Sequence, residues 1–399
     1  MNIVKTLCFV SLFTVSMGKV SHTQTLQFPE LEIVVATTQT ITGDLILAPD
    51  QWVLETDPII LSRQIFPKLY DVNIATREVR RLTDASDPIT ERRPQWSPDG
   101  RFLVYESNMH IFSSSENNKG DELYVLDMEQ PTPQPDRLTF NGGRWATWSP
   151  NGRFISYNDQ DGFLAILDLT TRQGQVLPFT ASAVWSPDSQ EVAFVETVDD
   201  TGVLYVARIY DDLSYEVYEI TQGNIAQVNW VTSDLLSFTA RVAEQMDIYT
   251  FDLKIAHENQ LTNTASGEFI LGAISTNATL LYRSGFSQLW TQNVSTGQAH
   301  EVTENLDLLN GLPSATPSEV ILYETKIFIA SVQINDLLII QLNRLASHKT
   351  YATYPDTVII ALDLRCLQLT CINSDMIPVL QLPDSEADFT FHVSLVHPR

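Results

Sequence analysis

Between residues 67 and 335 the hydrophobic and polar positions follow one alternation, written repeatedly. A short strand ends on Trp, a polar turn follows, and then comes a strand that is apolar on both faces. "ERRPQWSPDGRFLVYES" at residues 91–107, "WATWSPNGRFISYND" around Trp148 and "SAVWSPDSQEVAFVE" around Trp185 are the clearest copies. A strand apolar on both faces must be covered on both sides. Neighbouring sheets stacked around a ring would cover it.

The turn explains its own residues. In Ser97-Pro98-Asp99-Gly100 the order Ser, Pro, Asp, Gly suits a type I turn, with Gly100 accepting the left-handed conformation that closes a three-residue hairpin loop. Ser149-Pro150-Asn151-Gly152 repeats it, and Ser186-Pro187-Asp188 repeats it without the glycine. Gly142, outside these turns, reads as a plain loop glycine that should tolerate substitution better than Gly100.

A second half-unit recurs between the hairpins: an apolar strand ending near Asp or Asn, a polar turn, and a short strand closing on Leu-Thr. It opens at Leu69, Leu123 and Leu164, with weaker copies at Leu204, Ile248 and Leu289. The hairpins decay in parallel around Trp230, Ala273 and Ser314. Taking 96, 148, 185, 230, 273 and 314 as equivalent, the spacings are 52, 37, 45, 43 and 41 residues, the period of a four-stranded propeller blade. The expected fold is an all-β, six-bladed β-propeller of four-stranded blades. Short β-rich flanks at 19–66 and 336–399 allow a seventh blade instead. The repeat region opens with third and fourth strands at Leu69 to Thr83 and ends with first and second strands at Ser314 to Tyr323. Pairing these would close the ring and hide two sheet edges.

"PQWSPDGRFLVYES" followed by "ELYVLDM" resembles the TolB-like WD-repeat β-propeller family, whose repeats carry a W-S-P-D-G hairpin. The likeness covers residues 67–335 and leaves out the α/β domain that precedes the propeller in that family, for which residues 19–66 are too short. It implies the fold; propellers host binding modules and enzymes alike.

Composition then narrows the function. Residues 1–18 read as a signal peptide: Lys5, the apolar run "LCFVSLFTVSM", then small residues at the cleavage-determining positions. The run is too short to span a membrane, no later stretch approaches spanning length, and the expected setting is extracytoplasmic. A formal charge of −25 repels phosphate backbones, so nucleic acid is not an expected partner. Cys366 and Cys371 form an even pair in an exported chain and suggest a disulfide, which requires a turn between them; two buried thiols are the alternative.

Candidate chemistry is sparse. No histidine sits in a metal spacing, and neither G-x-S-x-G nor a glycine-rich phosphate loop occurs. The Asp159–Gly162 and Asp199–Gly202 stretches superficially resemble calcium loops but fall where turns are wanted. Trp96, Trp148, Trp185 and Trp230 share one repeat position, which favours blade packing over a sugar-stacking platform. No cofactor or metal is expected. The expectation is a non-catalytic scaffold that holds a protein or peptide partner through its rim loops or channel mouth. The longest insertions, "NMHIFSSSENNKGDE" and "MEQPTPQPDRL", are the rim loops of choice. The alternative is a propeller lyase or hydrolase acting on carbohydrate with channel-lining residues.

Overall fold

A computed structural model describes residues 68–301, apart from 74–78, 87, 114–119, 243, 275–276 and 286–287. It also describes the backbone of the strands at 31–37, 320–329, 337–346, 356–363, 376–382 and 388–393. The signal-peptide reading and the Cys366–Cys371 pair lie outside these residues.

The strands form seven four-stranded antiparallel sheets, so the chain is a seven-bladed β-propeller. Blade 1 is built from both ends of the chain: Asp388–Val393, Leu31–Thr37, Lys68–Asn73 and Val79–Arg81, in that order. Blade 2 is Glu91–Trp96, Phe102–Ser107, Glu122–Asp127 and Asp136–Arg137. Blade 3 runs from Arg144–Trp148 through Phe154–Asn158 and Leu164–Asp168 to Gln173–Val176. Blade 4 holds Val184–Trp185, Glu191–Val198, Thr201–Ile209 and Tyr215–Gly223. Blade 5 comprises Ile225–Thr232, Leu235–Val242, Gln245–Asp252 and His257–Gln260. Blade 6 contains Glu268–Ile274, Thr279–Ser284, Gln288–Asn293 and Ala299–Glu301. Blade 7 consists of Val320–Ile329, Leu337–Ala346, Asp356–Asp363 and Met376–Leu382.

The blade count corrects the expected six, and the reason lies in the degraded repeats. "VILYE" was expected to be the second strand of a closing blade; it belongs to Val320–Ile329, the first strand of blade 7. The boundary placed at 335 therefore falls inside a sheet. Closure also differs from the expected pairing of Ser314–Tyr323 with Leu69–Thr83. Asp388–Val393 pairs with Leu31–Thr37, which pairs in turn with Lys68–Asn73. Flanks that carry no hairpin signature thus supply three strands of blade 7 and the two strands that close blade 1.

In each sheet the first strand stands at one edge and touches the first strands of neighbouring sheets, so the first strands surround the axis. The apolar core sits in the seams. Leu69, Leu82, Trp96, Leu103, Tyr105 and Leu126 fill the seam of blades 1 and 2; Val104, Leu123, Val125, Trp148 and Ile155 fill the next. This two-sided cover is what a strand such as Phe102–Ser107 demands. Antiparallel alternation gives the molecule two ends. First-to-second and third-to-fourth turns lie at the hairpin face; second-to-third and fourth-to-first links lie at the connector face.

Candidate functional site

The three hairpin turns are built alike. The second-position turn close is made by Gly100 N–H to Ser97 O, Gly152 N–H to Ser149 O and Ser189 N–H to Ser186 O, each at 2.9 Å. Ser97, Ser149 and Ser186 donate their hydroxyls to Asp99, Asn151 and Asp188 at 2.5, 2.7 and 2.6 Å. The same hydroxyls accept the backbone N–H groups of Phe102, Phe154 and Glu191. Gly100 and Gly152 sit at φ 71°, and Ser189 takes φ 64° where the third copy has lost its glycine. Pro98, Pro150 and Pro187 occupy the corner positions of these turns. Every residue of the hairpin signature is absorbed by turn geometry.

The repeat tryptophans serve the seams. Trp148 donates to Gln95 O at 3.1 Å, Trp230 to Val184 O at 3.0 Å and Trp185 to Ser156 Oγ at 3.1 Å, each reaching into the preceding blade. Trp96, Trp148, Trp185 and Trp230 are all buried, and Trp185 stacks on Phe154 with centroids 5.7 Å apart. None offers a face to a ligand. The calcium-like stretches are turns: Asp159 accepts the N–H groups of Asp161 and Phe163, and Asp199 and Asp200 both adopt positive φ. Among the described residues no group of three or more His, Cys, Asp or Glu is placed to hold a metal ion, and no helix is long and apolar enough to cross a membrane.

Two features remain that the fold does not consume. The first is a groove of about 390 Å³ on the seam of blades 1 and 2. Its walls are Arg80 and Arg81 from the last strand of blade 1, the link that follows (82–86 and Ile89), Met109, and residues 131–135. It therefore gathers parts of both long insertions singled out in the sequence. Val79–Arg81 pairs with Lys68–Asn73 on one side and ends its sheet on the other. Beneath the groove, Thr83 donates to the buried Glu91 carboxylate at 2.6 Å, and Lys68 donates to Ile89 O. That carboxylate is not a singular group. Thr139 to Glu122 and Thr262 to Glu268 repeat the contact at 2.5 Å, and the same threonine hydroxyls accept the N–H groups of Leu123 and Ile248. The Leu-Thr endings at Thr83 and Thr262 thus clasp the first strand of the next blade, while Thr139 clasps the third strand of its own blade. Burial pushes the Glu91 and Glu268 carboxyls above the usual range, against the pull of their hydrogen bonds.

The second feature lies where the first strands of blades 2 and 3 meet the connector face. Arg93 and Trp145 occupy the same place in the repeat, three residues before Trp96 and Trp148. Both are non-glycine residues at positive φ, 45° and 58°, and both sit in bulges where the pairing register shifts. The Arg93 guanidinium lies 3.8 Å from the Trp145 ring centre. The buried Glu106 holds both: Oε2 pairs with Arg93 at 2.6 Å, and Oε1 accepts the Trp145 N–H at 2.8 Å. Burial raises the Glu106 carboxyl, and the Trp145 N–H and Arg93 oppose the shift. Sequence reasoning passed over this group because the repeat puts a buried tryptophan three residues later. The available signal was an Arg-Arg and an Arg-Trp pair at matching positions.

No family model matches the chain, and no curated protein matches it. Among solved structures it is similar to an oligogalacturonate lyase from Vibrio parahaemolyticus (12% identity, 84% of each chain, TM-score 0.52). It is also similar to the β-propeller domain of the Trilobed protease from Pyrococcus furiosus, described as having an open velcro topology (11% identity, 83% of this chain and 92% of that one, TM-score 0.51). A putative TolB from Agrobacterium tumefaciens matches at 16% identity over 68% of this chain and 88% of its own, with a TM-score of 0.40. At such identities the likeness to the lyase and to the protease domain speaks for the propeller fold alone.

Proposed function

We propose that the protein is a binding propeller without turnover, which captures an extended segment of a protein partner in the groove between blades 1 and 2. The observation that carries this reading is the convergence of both long insertions on one sheet edge. An unpaired edge is a template for one more strand, and main-chain hydrogen bonds to it give affinity with little demand on sequence. Pro131, Pro133 and Pro135 make the facing wall stiff, so little loop entropy is lost on binding. Ile89 and Met109 give it an apolar floor. The leader-like start supports an extracytoplasmic setting for the encounter.

Deleting residues 130–135 should weaken capture of a partner by the full chain while leaving its thermal unfolding curve nearly unchanged. If the purified protein instead cleaves a glycan or a peptide, and a chelator or one channel-residue substitution abolishes that activity, the reading is wrong.

A further inference from the structure

We propose that the connector face of the ring docks on a lipid surface, which it meets flat and through apolar contact. Among the described residues eleven large apolar side chains are exposed, and the topology sorts them by end of the ring. Phe112, Phe163, Val198 and Val242 lie at second-to-third links, and Phe140 lies on the fourth-to-first link between blades 2 and 3. Trp145 and Phe269 stand second in their first strands, and Val176 ends a fourth strand, all toward the same end. Eight of the eleven thus share one face, every exposed Phe and Trp among them. Tyr210 and Ile255 occupy third-to-fourth turns at the hairpin face, and Tyr218 sits within an outer strand. Exposed apolar residues scattered singly need no explanation; their gathering at one end does.

Their spread selects the partner. They come from five successive blades, 2 to 6, around one ring. A peptide or a small ligand would touch one seam, whereas a flat partner reaches them all. Three of the rings lie under a guanidinium: Trp145 under Arg93 at 3.8 Å, Phe140 under Arg137 at 4.5 Å and Phe269 under Arg283 at 4.9 Å. Arg93 and Arg137 are held in turn by the buried Glu106 and Glu122. At the hairpin face the rings under Arg101 and Arg153 belong to Phe102, half-buried, and Phe154, buried. An exposed aromatic beside a cation suits the headgroup layer, where one end of each group is apolar and the other wet. Charge decides the kind of lipid. Exposed Arg92, Arg144 and Arg241 share the face with exposed Asp161, Asp199 and Asp200, and the chain as a whole carries −25. Anionic headgroups therefore gain nothing, and a zwitterionic surface bound by apolar contact is the partner that fits.

Vesicle flotation of the full chain tests this. The protein should float with phosphatidylcholine vesicles, no more tightly when about a third of the lipid is phosphatidylglycerol, and undiminished by salt. The Phe140→Ser/Trp145→Ser double variant should lower the partition coefficient about tenfold or more, and Val242→Ser on blade 5 about threefold, with unfolding curves nearly unchanged. Tyr210→Ser/Ile255→Ser at the hairpin face should leave it unaltered, as should deletion of 130–135, which separates this surface from the groove. Binding through the apolar run at residues 7–17 would survive every one of these substitutions and would count against the proposal. No flotation, flotation with the anionic lipid alone, or equal losses in the connector-face and hairpin-face variants would each overturn it. So would a dimer, seen by sedimentation without vesicles, that Phe140→Ser/Trp145→Ser dissolves, because the face would then meet a second copy of the chain.

Discussion

The two faces of the ring treat charge in opposite ways. At the hairpin face cations and carboxylates neutralise each other near the surface: Arg101 with Asp127 at 3.1 Å, Arg153 with Asp168 at 2.9 Å, Arg172 with Asp136 at 2.7 Å, Arg208 with Glu191 at 2.9 Å and Lys254 with Asp234 at 2.6 Å. The hydrogen bond from Arg101 lowers the Asp127 carboxyl; at Asp168 burial pushes upward, but Arg153 and the N–H groups of Thr170 and Thr171 outweigh it. At the connector face Glu91, Glu106 and Glu268 are buried in seams or braces, with their carboxyls pushed up by burial. Arg93 and Arg137 are paired there with the buried Glu106 and Glu122, while Arg92 and Arg144 are exposed with no ion pair among the described residues. One face pairs its charges at the surface; the other buries its carboxylates and ties them to threonines, arginine and backbone.

The sharpest test compares two tryptophans three residues apart. Trp148 is 8% exposed and clamps two blades, so Trp148→Ala should lose about 3–5 kcal/mol in denaturant unfolding. Trp145→Ala at the open mouth should lose under about 1 kcal/mol, the scale of an exposed cation–π contact. Equal losses would dissolve the distinction between clamp and ledge.

Next in size is Gly142, at the connector face, which the sequence presents as a tolerant loop glycine. It is at φ 79°, its N–H reaches the Glu122 carboxylate at 3.1 Å, and a Cβ there would stand 2.5 Å from the Gln160 backbone nitrogen. Gly142→Val should therefore cost about 2–4 kcal/mol, from backbone strain and crowding together. Gly162, also at positive φ, has nothing within 4 Å of its Cβ position and should cost less. Thermal melts of the two variants decide it.

Arginines give a smaller contrast. Arg153→Ala leaves Asp168, whose side chain is 1% exposed, with only its backbone donors and should cost about 1–3 kcal/mol. Arg144→Ala should stay within about 0.5 kcal/mol, as for an unengaged surface residue. A large loss at Arg144 would show that it is structural.

The smallest effect is a pH signature. A carboxyl held above its ordinary value contributes stability that is fully present below its unfolded pKa and is lost as pH rises through the folded one. Glu91, Glu106 and Glu268 should therefore make the protein more stable as pH falls from neutral toward the ordinary carboxylate range, in step with its shrinking negative charge. Asp127 and Asp168 act the other way: their contribution is present above the ordinary carboxylate range and lost as pH falls through their lowered values. Melting temperature against pH should rise and then fall, with a shallower rise in Glu106→Gln. An unchanged slope in that variant removes Glu106 from the account.

Much of this was legible in the chain because it is local. The Ser-Pro-Asp-Gly turn needs only its own four residues to specify φ and hydrogen bonds, so the hairpins at Ser97, Ser149 and Ser186 could be read directly, and their period gave the fold class. The blade count could not, because it depends on flanking strands at Leu31–Thr37 and Asp388–Val393 that carry no turn signature and become a sheet only by pairing with each other across the whole sequence. The candidate sites were hidden for the same reason. Arg93, Glu106 and Trp145 come from three strands of two blades, and Arg80 meets Pro131 to Pro135 only because one blade follows another around the axis. Periodicity records which residues a turn or a strand requires; which charges end up paired, and which are left open to a ligand, is settled only when the blades pack.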